Sequence, residues 1–228
     1  MIEVLDVELR ELRTAAELAP LPELERRVWG GESEMVSINV LVATISEGGV
    51  AIGAFDGERL VGAVYGFATS DPHVHHSHYL AVDAPYRRSG LGEVLKRRQR
   101  AWCLARGITA MRWTYDPLQY GNAHLNLRRL GAFGIAYHVD HYGSLGGING
   151  SLPSDRVTVR WELDGSRPAV AEQRVVAAPA ITPADITAAA DAALTARHEL
   201  RAALAPLLDD GWLMVDVDRA APSYTVAR

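Results

Sequence analysis

The alternation of apolar and polar positions is clearest between Val50 and Phe67. Two runs rich in apolar, β-branched and aromatic residues, Val50–Phe55 and Leu60–Phe67, flank the turn Asp56-Gly57-Glu58-Arg59. Two such runs around an Asp-Gly pair are typical of an antiparallel hairpin. The pattern therefore predicts a β-hairpin in the first third of the chain.

The segment before the hairpin has a helical pattern with an interruption. A weak alternation at Ile2–Val7 predicts a short strand. Apolar residues recur near helical spacing over Glu11–Val28, but Pro20 and Pro22 interrupt them, which predicts a helix, a break and a second short helix. Met35–Ile45 is expected to be helical or irregular.

Strands and helices alternate after the hairpin. The pattern predicts strands at His76–Val82, Ile108–Tyr115, Phe133–Val139 and Val157–Leu163, helices at Leu91–Arg106 and Asn122–Leu130, and a glycine-rich loop at Gly143–Ser154. The apolar face of the longer helix is predicted to hold Leu91, Val94, Leu95, Trp102 and Ala105. Strands joined through helices require parallel pairing, whereas the hairpin requires antiparallel pairing. The expected fold class is α/β of the α+β type, with a mixed sheet and helices on both faces.

The composition changes after Asp164, and the rest of the chain is predicted to be an appendage. It contains a connector, a capped helix and two short strands: Ser166–Ala180, Thr182–Leu208, Trp212–Val217 and Tyr224–Val226. This tail is too small for a core of its own. We therefore expect a domain over residues 1–164 and a tail, 165–228, that packs on it or on a second subunit.

The overall composition excludes several classes of partner. The chain has 228 residues, of which 48% are hydrophobic and 22% charged, with a net charge of −5. This negative charge excludes a general attraction to nucleic acid or to an anionic membrane, so any phosphate site must be local. The longest apolar stretches, such as Val40–Ile45, are too short to cross a bilayer.

The cysteine content and the first residues indicate a cytoplasmic location. Cys103 is the single cysteine, which excludes an internal disulfide and fits a reducing compartment. Its position in a predicted helix favours a small core residue over a nucleophile. Met1–Val4 lacks the basic and apolar runs of a secretory signal.

The turn Asp83–Gly92 lies between a predicted strand and the start of a predicted helix. Such a turn directs several backbone N–H groups, and the positive end of the helix dipole, at one point. Gly90 and Gly92 allow close approach of an anion, and Arg87 and Arg88 add cationic donors. The sequence lacks both the Gly-Lys-Ser/Thr of a Walker loop and the third glycine of a dinucleotide fingerprint. The physics favours a pyrophosphate site, with an ordinary glycine-containing turn as the alternative.

Two stretches carry a resemblance to a known family. Leu80–Gly92, an apolar strand, a Pro/Tyr-containing linker and then Arg-x-x-Gly-x-Gly, resembles the acyl-CoA signature of the GNAT superfamily of N-acyltransferases. Asn122–Ala132 resembles the later GNAT helix that begins with Asn-Ala and ends in Gly plus an apolar residue. The resemblance covers residues 1–163 at the level of fold. It implies a mostly antiparallel sheet with a central, splayed parallel pair of strands.

The resemblance also implies a set of cofactor contacts. Leu80, Ala81 and Val82 would offer backbone groups to the pantetheine arm, and Asn122 would contact the cofactor near the same arm. The residues expected to grip the pyrophosphate are Arg87, Arg88, Ser89, Gly90, Leu91 and Gly92. The implied co-substrate is acetyl-CoA or another acyl-CoA, without a metal.

The residue at the usual position of the GNAT acid does not match the family pattern. Many members of the family place a tyrosine four residues before the glycine that ends the later helix, and here that position is Leu127. Tyr115 or Tyr142 would have to replace it. Direct departure of the thiolate is the other possibility, since thiols ionise with a reference pKa of about 8.5.

A cluster of histidines offers candidate bases, because imidazole titrates near neutral pH. His76 and His78 would share one face of a strand, with His75 on the other. Polar strand residues without a chemical role are the alternative. A metal site is incomplete, since no cysteine or carboxylate pair lies nearby in the sequence.

Asp116 follows a predicted parallel strand at its carboxyl end, where ligands of α/β sheets gather. It is a candidate to receive the ammonium of a substrate or to relay its proton, although an Asp-Pro turn explains it equally well. Asn126, one helical turn beyond Asn122, is a candidate substrate contact.

The sequence therefore predicts an enzyme that moves an acetyl group from acetyl-CoA to a primary amine. A small-molecule or peptide amine is the expected acceptor, and a homodimer is possible. The alternative is a GNAT-like module that binds acyl-CoA without turnover, which Leu127 favours slightly.

Overall fold

The computed structural model describes residues 7–30, 35–143, 152–182 and 190–228. Within it the chain forms two compact units, Met1–Met111 and Arg112–Arg228. The domain boundary expected at residue 164 falls inside the second unit. Most of the strand predicted at Ile2–Val7, the start of the tail helix after Thr182 and most of the glycine-rich loop lie outside the described residues.

The first unit consists of a meander of strands with helices before and after it. Its elements are β1 (Glu8–Leu12), α1 (Ala15–Leu18), α2 (Leu21–Trp29), α3 (Ile38–Ser46), β2 (Val50–Asp56), β3 (Arg59–Ala68), β4 (Val74–Val82), a 3₁₀ turn (Ala84–Tyr86), α4 (Leu91–Leu104) and the start of β5 (Ala110–Tyr115). Strands β1 to β4 pair antiparallel in sequence order. The predicted β2–β3 hairpin and the helix break near Pro20 are confirmed.

Helices cover both faces of this sheet, as predicted. On one face, a Cβ added to Gly62 of β3 would lie 3.1 Å from side-chain atoms of Leu91 and Leu95 in α4. On the other face, Ala63 and Tyr65 belong to a core cluster that also contains leucines of α1, α2 and α3. Alternate residues of β3 therefore pack against different helices, as the two-residue period of a strand requires.

The parallel pair that the fold class requires is formed by β4 and β5. The N–H groups of Thr109 and Ala110 donate to the carbonyl of His73 over 3.0 and 3.1 Å. Helix α4 connects the two strands, which is the connection that parallel strands need.

The buried face of α4 differs in part from the predicted face. Leu91, Leu95 and Trp102 are buried, but Val94 is 47% exposed. Lys96 and Gln99 take up buried positions instead, because their polar ends find hydrogen-bond partners on Ser77 of β4. A pattern based on hydrophobicity alone cannot find such positions.

The second unit holds the rest of β5 and every later element. These are α5 (Tyr120–Ala123), a π-helical turn that continues it (His124–Arg129), β6 (Phe133–His138), β7 (Arg156–Glu162), β8 (Gln173–Ala177), α6 (Ala190–Asp209), β9 (Leu213–Asp218) and β10 (Ser223–Ala227). The strand order in this unit is β5-β7-β6-β9-β10-β8.

Two predictions about this unit were wrong. Strands β5 and β6 do not pair in parallel, because β7 turns back antiparallel to β6 and lies between them. The segment predicted as a connector contains a strand, β8, which pairs with β10. Its run Gln173–Ala177 is short and mostly exposed, so it lacks a clear apolar alternation.

The tail is part of the sheet of the second unit. Gly134 of β6 pairs with Met214 of β9, and a Cβ on Gly134 would lie 2.9 Å from the Met214 Cβ. A residue without a side chain is therefore needed where these strands approach each other.

Candidate active site

The turn after β4 is built on a short 3₁₀ segment. The Asp83 carboxylate accepts a hydrogen bond from the N–H of Ala84 (3.1 Å) and so caps this segment. The N–H groups of Tyr86 and Arg87 donate to the carbonyls of Asp83 and Ala84 at 2.9 and 3.2 Å. Pro85 fits the first positions because it has no N–H to satisfy.

Asp83 also fixes the turn to the rest of the first unit. Its carboxylate accepts hydrogen bonds from Arg27 of α2 (3.2 Å) and Arg59 of β3 (2.7 Å). Burial alone would raise the pKa of Asp83, but Arg27, Arg59 and the Ala84 N–H outweigh it and lower that pKa below its ordinary value. The sequence analysis missed this residue, because its partners are distant in the chain.

The backbone then takes two left-handed conformations that turn a series of N–H groups outward. Arg88 has φ +65° and Gly90 has φ +93°. The N–H groups of Arg88, Ser89, Gly90 and Gly92 make no hydrogen bond with any residue that the structure describes. Four amides without a partner among the described residues therefore lie at the positive end of α4, a geometry that suits an anion.

The two arginines of the turn have different surroundings. The Arg87 guanidinium donates to the carbonyls of Val82 and Val28, both at 3.2 Å, so it connects the turn to β4 and α2. The Arg88 side chain is exposed and pairs with no described residue. Arg88 is therefore the freer of the two to meet an anion.

The start of α4 is held in place by contacts with β3 and with the preceding turn. Leu91 is buried against Gly62, so it contributes to a ligand site only through its backbone. The Ser89 hydroxyl donates to the carbonyl of Tyr86 (2.6 Å) and accepts from the N–H of Leu91 (3.3 Å). Ser89 thus shapes the turn.

Strand β4 carries a bulge next to the predicted pantetheine segment. Tyr65 of β3 pairs with Tyr79, but the next residue, Gly66, pairs with Ser77, so His78 is the extra residue. Leu80, Ala81 and Val82 follow in regular pairing with β3. A bulge redirects side chains locally and is frequent beside active sites.

The histidines of β4 lie on the faces that the sequence predicted. His76 stacks on Phe67 with ring centroids 4.8 Å apart, and the His76 and His78 rings are 6.0 Å apart on the same face. His75 is fully buried on the other face beside Trp102 of α4. His78 reaches solvent, yet burial among its aromatic neighbours lowers its pKa below the ordinary value.

A buried polar cluster lies between β4 and α4. Lys96, only 2% exposed, donates to the Ser77 hydroxyl over 2.8 Å, and Ser77 donates to the Gln99 side-chain carbonyl over 2.7 Å. Burial lowers the pKa of Lys96 to about 7, although Cys103 opposes the shift slightly. Burial likewise lowers the pKa of His75 to about 4, aided by Lys96 and His76.

In the second unit, the carboxylate of Asp116 is already paired. It accepts two hydrogen bonds from Arg197 of α6, at 2.5 and 2.7 Å, and one from the N–H of Leu118 at 2.9 Å. Arg156 lies 3.9 Å away. The turn interpretation of Asp116 explains the Leu118 bond, and the Arg197 pair gives the side chain a structural role.

The two tyrosines considered as acids differ in their exposure to solvent. The Tyr115 hydroxyl is buried and donates to the Met214 sulfur over 3.2 Å, and burial raises its pKa. Tyr142 is 46% exposed and lies 3.1 Å from the Thr114 hydroxyl. Tyr142 alone of the two reaches solvent.

The second motif forms α5 and the π-helical turn. Asn122 is exposed, and its side chain makes no hydrogen bond within the described ranges. Asn126 is buried and accepts from the Trp113 indole N–H over 3.3 Å, so its amide already has a partner. Leu127, at the usual tyrosine position, is 1% exposed.

Two features are absent from the part of the chain that the structure describes. No group of three or more His, Cys, Asp or Glu side chains there is arranged to hold a metal ion. No helix in the same ranges has the length and apolar character needed to cross a membrane.

A mixed sheet, a bulged strand and an outward-facing amide cluster at the next helix define an α/β protein of the mixed-sheet class. Residues 8–131, more than half of the 228-residue chain, match the Acetyltransferase (GNAT) family. The chain therefore belongs to the GNAT acetyltransferase family, which confirms the resemblance read from the two motifs.

Solved GNAT structures share the fold at low sequence identity. The ribosomal-protein-S18-alanine N-acetyltransferase of Escherichia coli is 15% identical, with a TM-score of 0.57 over 69% of this chain and 94% of that one. The acetyltransferase yncA of Salmonella typhimurium, solved with its cofactor acetyl-CoA, is 14% identical, with a TM-score of 0.56 over 73% and 98%.

A third structure holds the free coenzyme. The paia N-acetyltransferase of Thermoplasma acidophilum, in complex with coenzyme A, is 16% identical, with a TM-score of 0.51 over 69% of this chain and 99% of that one. No curated protein sequence matches the chain.

Proposed function

We propose that this protein is an acyl-CoA-dependent N-acyltransferase that moves an acetyl group from acetyl-CoA to a primary amine by direct attack. Membership of the GNAT family supports acetyl transfer in general. The observation that carries the proposal is the set of unpaired N–H groups at Arg88, Ser89, Gly90 and Gly92. Backbone amides at a helix N-terminus, together with the helix dipole, are sufficient to bind phosphate groups.

The cofactor contacts follow from this turn. The diphosphate of CoA lies on the amides of residues 88–92, with Arg88 as the mobile cation and Arg87 holding the turn in shape. The pantetheine arm runs along the backbone of Leu80, Ala81 and Val82. The family resemblance extends the contact to Asn122, whose side chain is exposed.

Among the predicted bases, His78 is the one we assign to the chemistry. It is the bulge residue of β4, it reaches solvent and its lowered pKa leaves it able to accept a proton at pH 7. His76 stacks on Phe67 and lies on the same face of β4 as His78. Asp116 and Tyr115 serve the second unit as buried structural groups, and Asn126 orients Trp113.

The leaving group departs as a thiolate. Leu127 supplies no acid at the usual tyrosine position, and a thiolate is a good leaving group without protonation. The acceptor, a small molecule or a peptide, presents a primary amine.

The second candidate is a GNAT-like module that binds acyl-CoA without turnover. The observation that favours it is the apolar, buried Leu127 where many relatives have their acid.

A thiol-release assay with acetyl-CoA and a panel of primary amines separates these functions when CoA binding is measured in parallel. The enzyme releases CoA thiol with at least one amine, and His78→Gln lowers kcat/KM by about 100-fold, as loss of a general base does. His73→Gln, in the loop before β4, is the matched control and stays within twofold, as expected for a residue away from the reacting atoms. CoA binding without thiol release for every amine would favour the module.

A further inference from the structure

The first unit contains a buried carboxylate that is only half satisfied. Glu25 of α2 is 2% exposed, and its Oε2 accepts a hydrogen bond from the N–H of Val36 over 3.1 Å. Its Oε1 is buried and has no hydrogen-bond partner among the described residues. Burial raises the pKa of Glu25, and the interactions with the Val36 N–H and the Tyr79 hydroxyl offset that shift only in part. An unpaired buried carboxylate oxygen is costly, so it calls for an explanation.

A second incompletely paired polar atom comes from β4. The Tyr79 hydroxyl is buried and interacts with Glu25 outside normal hydrogen-bond geometry. Burial raises the pKa of Tyr79 most, and the negative charge of Glu25 and its hydrogen-bonding interaction with the hydroxyl add to that shift. Glu25 also contributes to a raised pKa at Tyr65, after the larger effect of burial. The Glu25 carboxylate therefore contributes to the raised pKa of both tyrosine hydroxyls.

The cations of α2 do not neutralise Glu25. Arg26 pairs with Glu23, and Arg27 pairs with Glu23 and Asp83. Within the ranges that the structure describes, no ion pair to Glu25 is formed. The charge of Glu25 thus has no counter-ion from those residues.

Aromatic rings surround the same place. The Tyr79 ring lies 5.5 Å from Trp29 and 5.4 Å from Tyr65, and His78 lies 6.1 Å away. Trp29 and Tyr79 are only partly buried, so the cluster has a side toward solvent. The faces of such rings attract cations.

A carboxylate oxygen, a hydroxyl and aromatic faces together select an ammonium group. An anionic ligand would be repelled by the carboxylate, and a neutral alcohol would leave its charge unpaired. A primary ammonium supplies the positive charge that Glu25 lacks and N–H donors for its Oε1, beside the Tyr79 hydroxyl. Tyr79 directly precedes Leu80 to Val82, so an amine bound here lies beside the strand assigned to the acyl-CoA.

We propose that Glu25 and Tyr79 form the acceptor site of this enzyme, where Glu25 binds a primary ammonium beside the aromatic rings and removes its first proton. The proposal rests on the proposed function, because it deepens the identity of the acceptor. It defines the acceptor as a primary amine that is cationic in solution and carries an apolar or aromatic arm.

The protons and electrons balance in this scheme. The ammonium first binds by its charge; once the pair is shielded from water, proton transfer removes both buried charges, so R–NH₃⁺ gives one proton to Glu25. The amine lone pair then forms the C–N bond at the thioester carbonyl. The tetrahedral adduct gives its second N–H proton to His78, and the C–S bond breaks with its electron pair on sulfur. The products are the amide, the CoA thiolate, protonated Glu25 and the His78 imidazolium.

The test compares Glu25→Gln with Glu23→Gln, an exposed carboxylate on the same helix. The probes are methylamine, n-butylamine and phenethylamine, with phenethyl alcohol as the uncharged control. Binding is followed by calorimetry on CoA-loaded protein, together with thiol release and CoA affinity. We expect wild type and Glu23→Gln to bind the amines and not the alcohol. Glu25→Gln should bind them at least about tenfold more weakly and lose about 100-fold in kcat/KM, with CoA affinity unchanged.

Tyr79→Phe is a second variant and carries the test if Glu25→Gln does not fold. It should weaken amine binding about threefold to tenfold, as the loss of one hydrogen bond does. Amine binding and kcat/KM within twofold of the control for both variants would overturn the proposal. Wild-type protein that binds CoA but none of the amines would overturn this site alone. Failure to bind CoA at all would overturn the proposed function first.

Discussion

At the scale of single residues, the positions that organise the candidate site are buried polar groups with partners far away in the chain. Asp83 joins α2, β3 and the turn after β4 through one carboxylate. Asp116 was recognised at the end of a strand, but its partner Arg197 is 81 residues further on. A sequence shows residue types and local spacing, so it indicated that Asp116 matters and could not show that its charge is already neutralised.

Asp83→Asn should destabilise the first unit by about 1–3 kcal/mol, because two arginines lose a charged partner. The folded pKa of Asp83 is lowered, so its contribution is present above the unfolded pKa of about 3.9 and is lost as pH falls through the folded value. Urea unfolding at pH 7 and between pH 5 and 3 measures both effects. The variant should show a smaller loss of stability in acid than wild type; an equal loss would contradict the role of Asp83.

Lys96→Met should raise the free energy of unfolding at pH 7 by about 1–3 kcal/mol, since it removes a buried, unfavourable charge. The folded pKa of Lys96 is about 7, well below the ordinary value for lysine. The unfolded chain therefore binds more protons between pH 7 and 10, and the stability of wild type should rise over that range. Denaturant midpoints at pH 7, 8.5 and 10 test this. A rise of the same size in Lys96→Met would show that another group causes it.

Among helices and strands, the elements set by neighbouring residues were predictable, whereas the pairing of strands distant in sequence was not. The β2–β3 hairpin is set by two apolar runs around Asp56-Gly57, so its signal lies within a few residues. Helix α4 and its turn were found for the same reason. The insertion of β7 between β5 and β6 depends on pairing across the sheet, which has no local signature. Strand β8 was missed because an exposed edge strand needs no apolar face.

Gly90→Ala should weaken CoA binding about tenfold and cost about 1 kcal/mol of stability, because Gly90 has φ +93° and an alanine is strained there. Gly121→Ala is the matched control. Gly121 lies in α5, outside the left-handed region, and an added Cβ has open space there. Thermal unfolding and CoA titration should show Gly121→Ala equal to or slightly more stable than wild type. Equal CoA affinities for the two variants would contradict the geometry of the turn.

At the scale of the whole molecule, the tail completes the second unit. Arg197 and Arg201 of α6 neutralise Asp116 and Asp155, and β9 extends the sheet beside β6. The predicted boundary at residue 164 separated groups that are paired in the structure. Composition changes at Asp164, but composition does not report which surface a later segment covers.

Removal of residues 166–228 should therefore unfold the second unit, since it leaves two buried carboxylates unpaired at about 3–5 kcal/mol each. Circular dichroism and limited proteolysis of the shortened chain test this expectation. Native mass spectrometry of the full chain gives the subunit count in parallel, which tests the predicted homodimer. A shortened chain that stays folded would contradict the structural role of α6 and its arginines.

Calorimetric titration of CoA into three proteins measures whether the amides after Tyr86 bind the diphosphate of CoA. Arg88→Glu should weaken binding at least about tenfold, because it places a negative charge at the anion site. Arg98→Glu makes the same charge change on α4, about 10 Å further along the helix, and should stay within about threefold of wild type. Equal affinities for all three proteins, or no CoA binding by folded wild type, would show that the turn after β4 does not bind the CoA diphosphate.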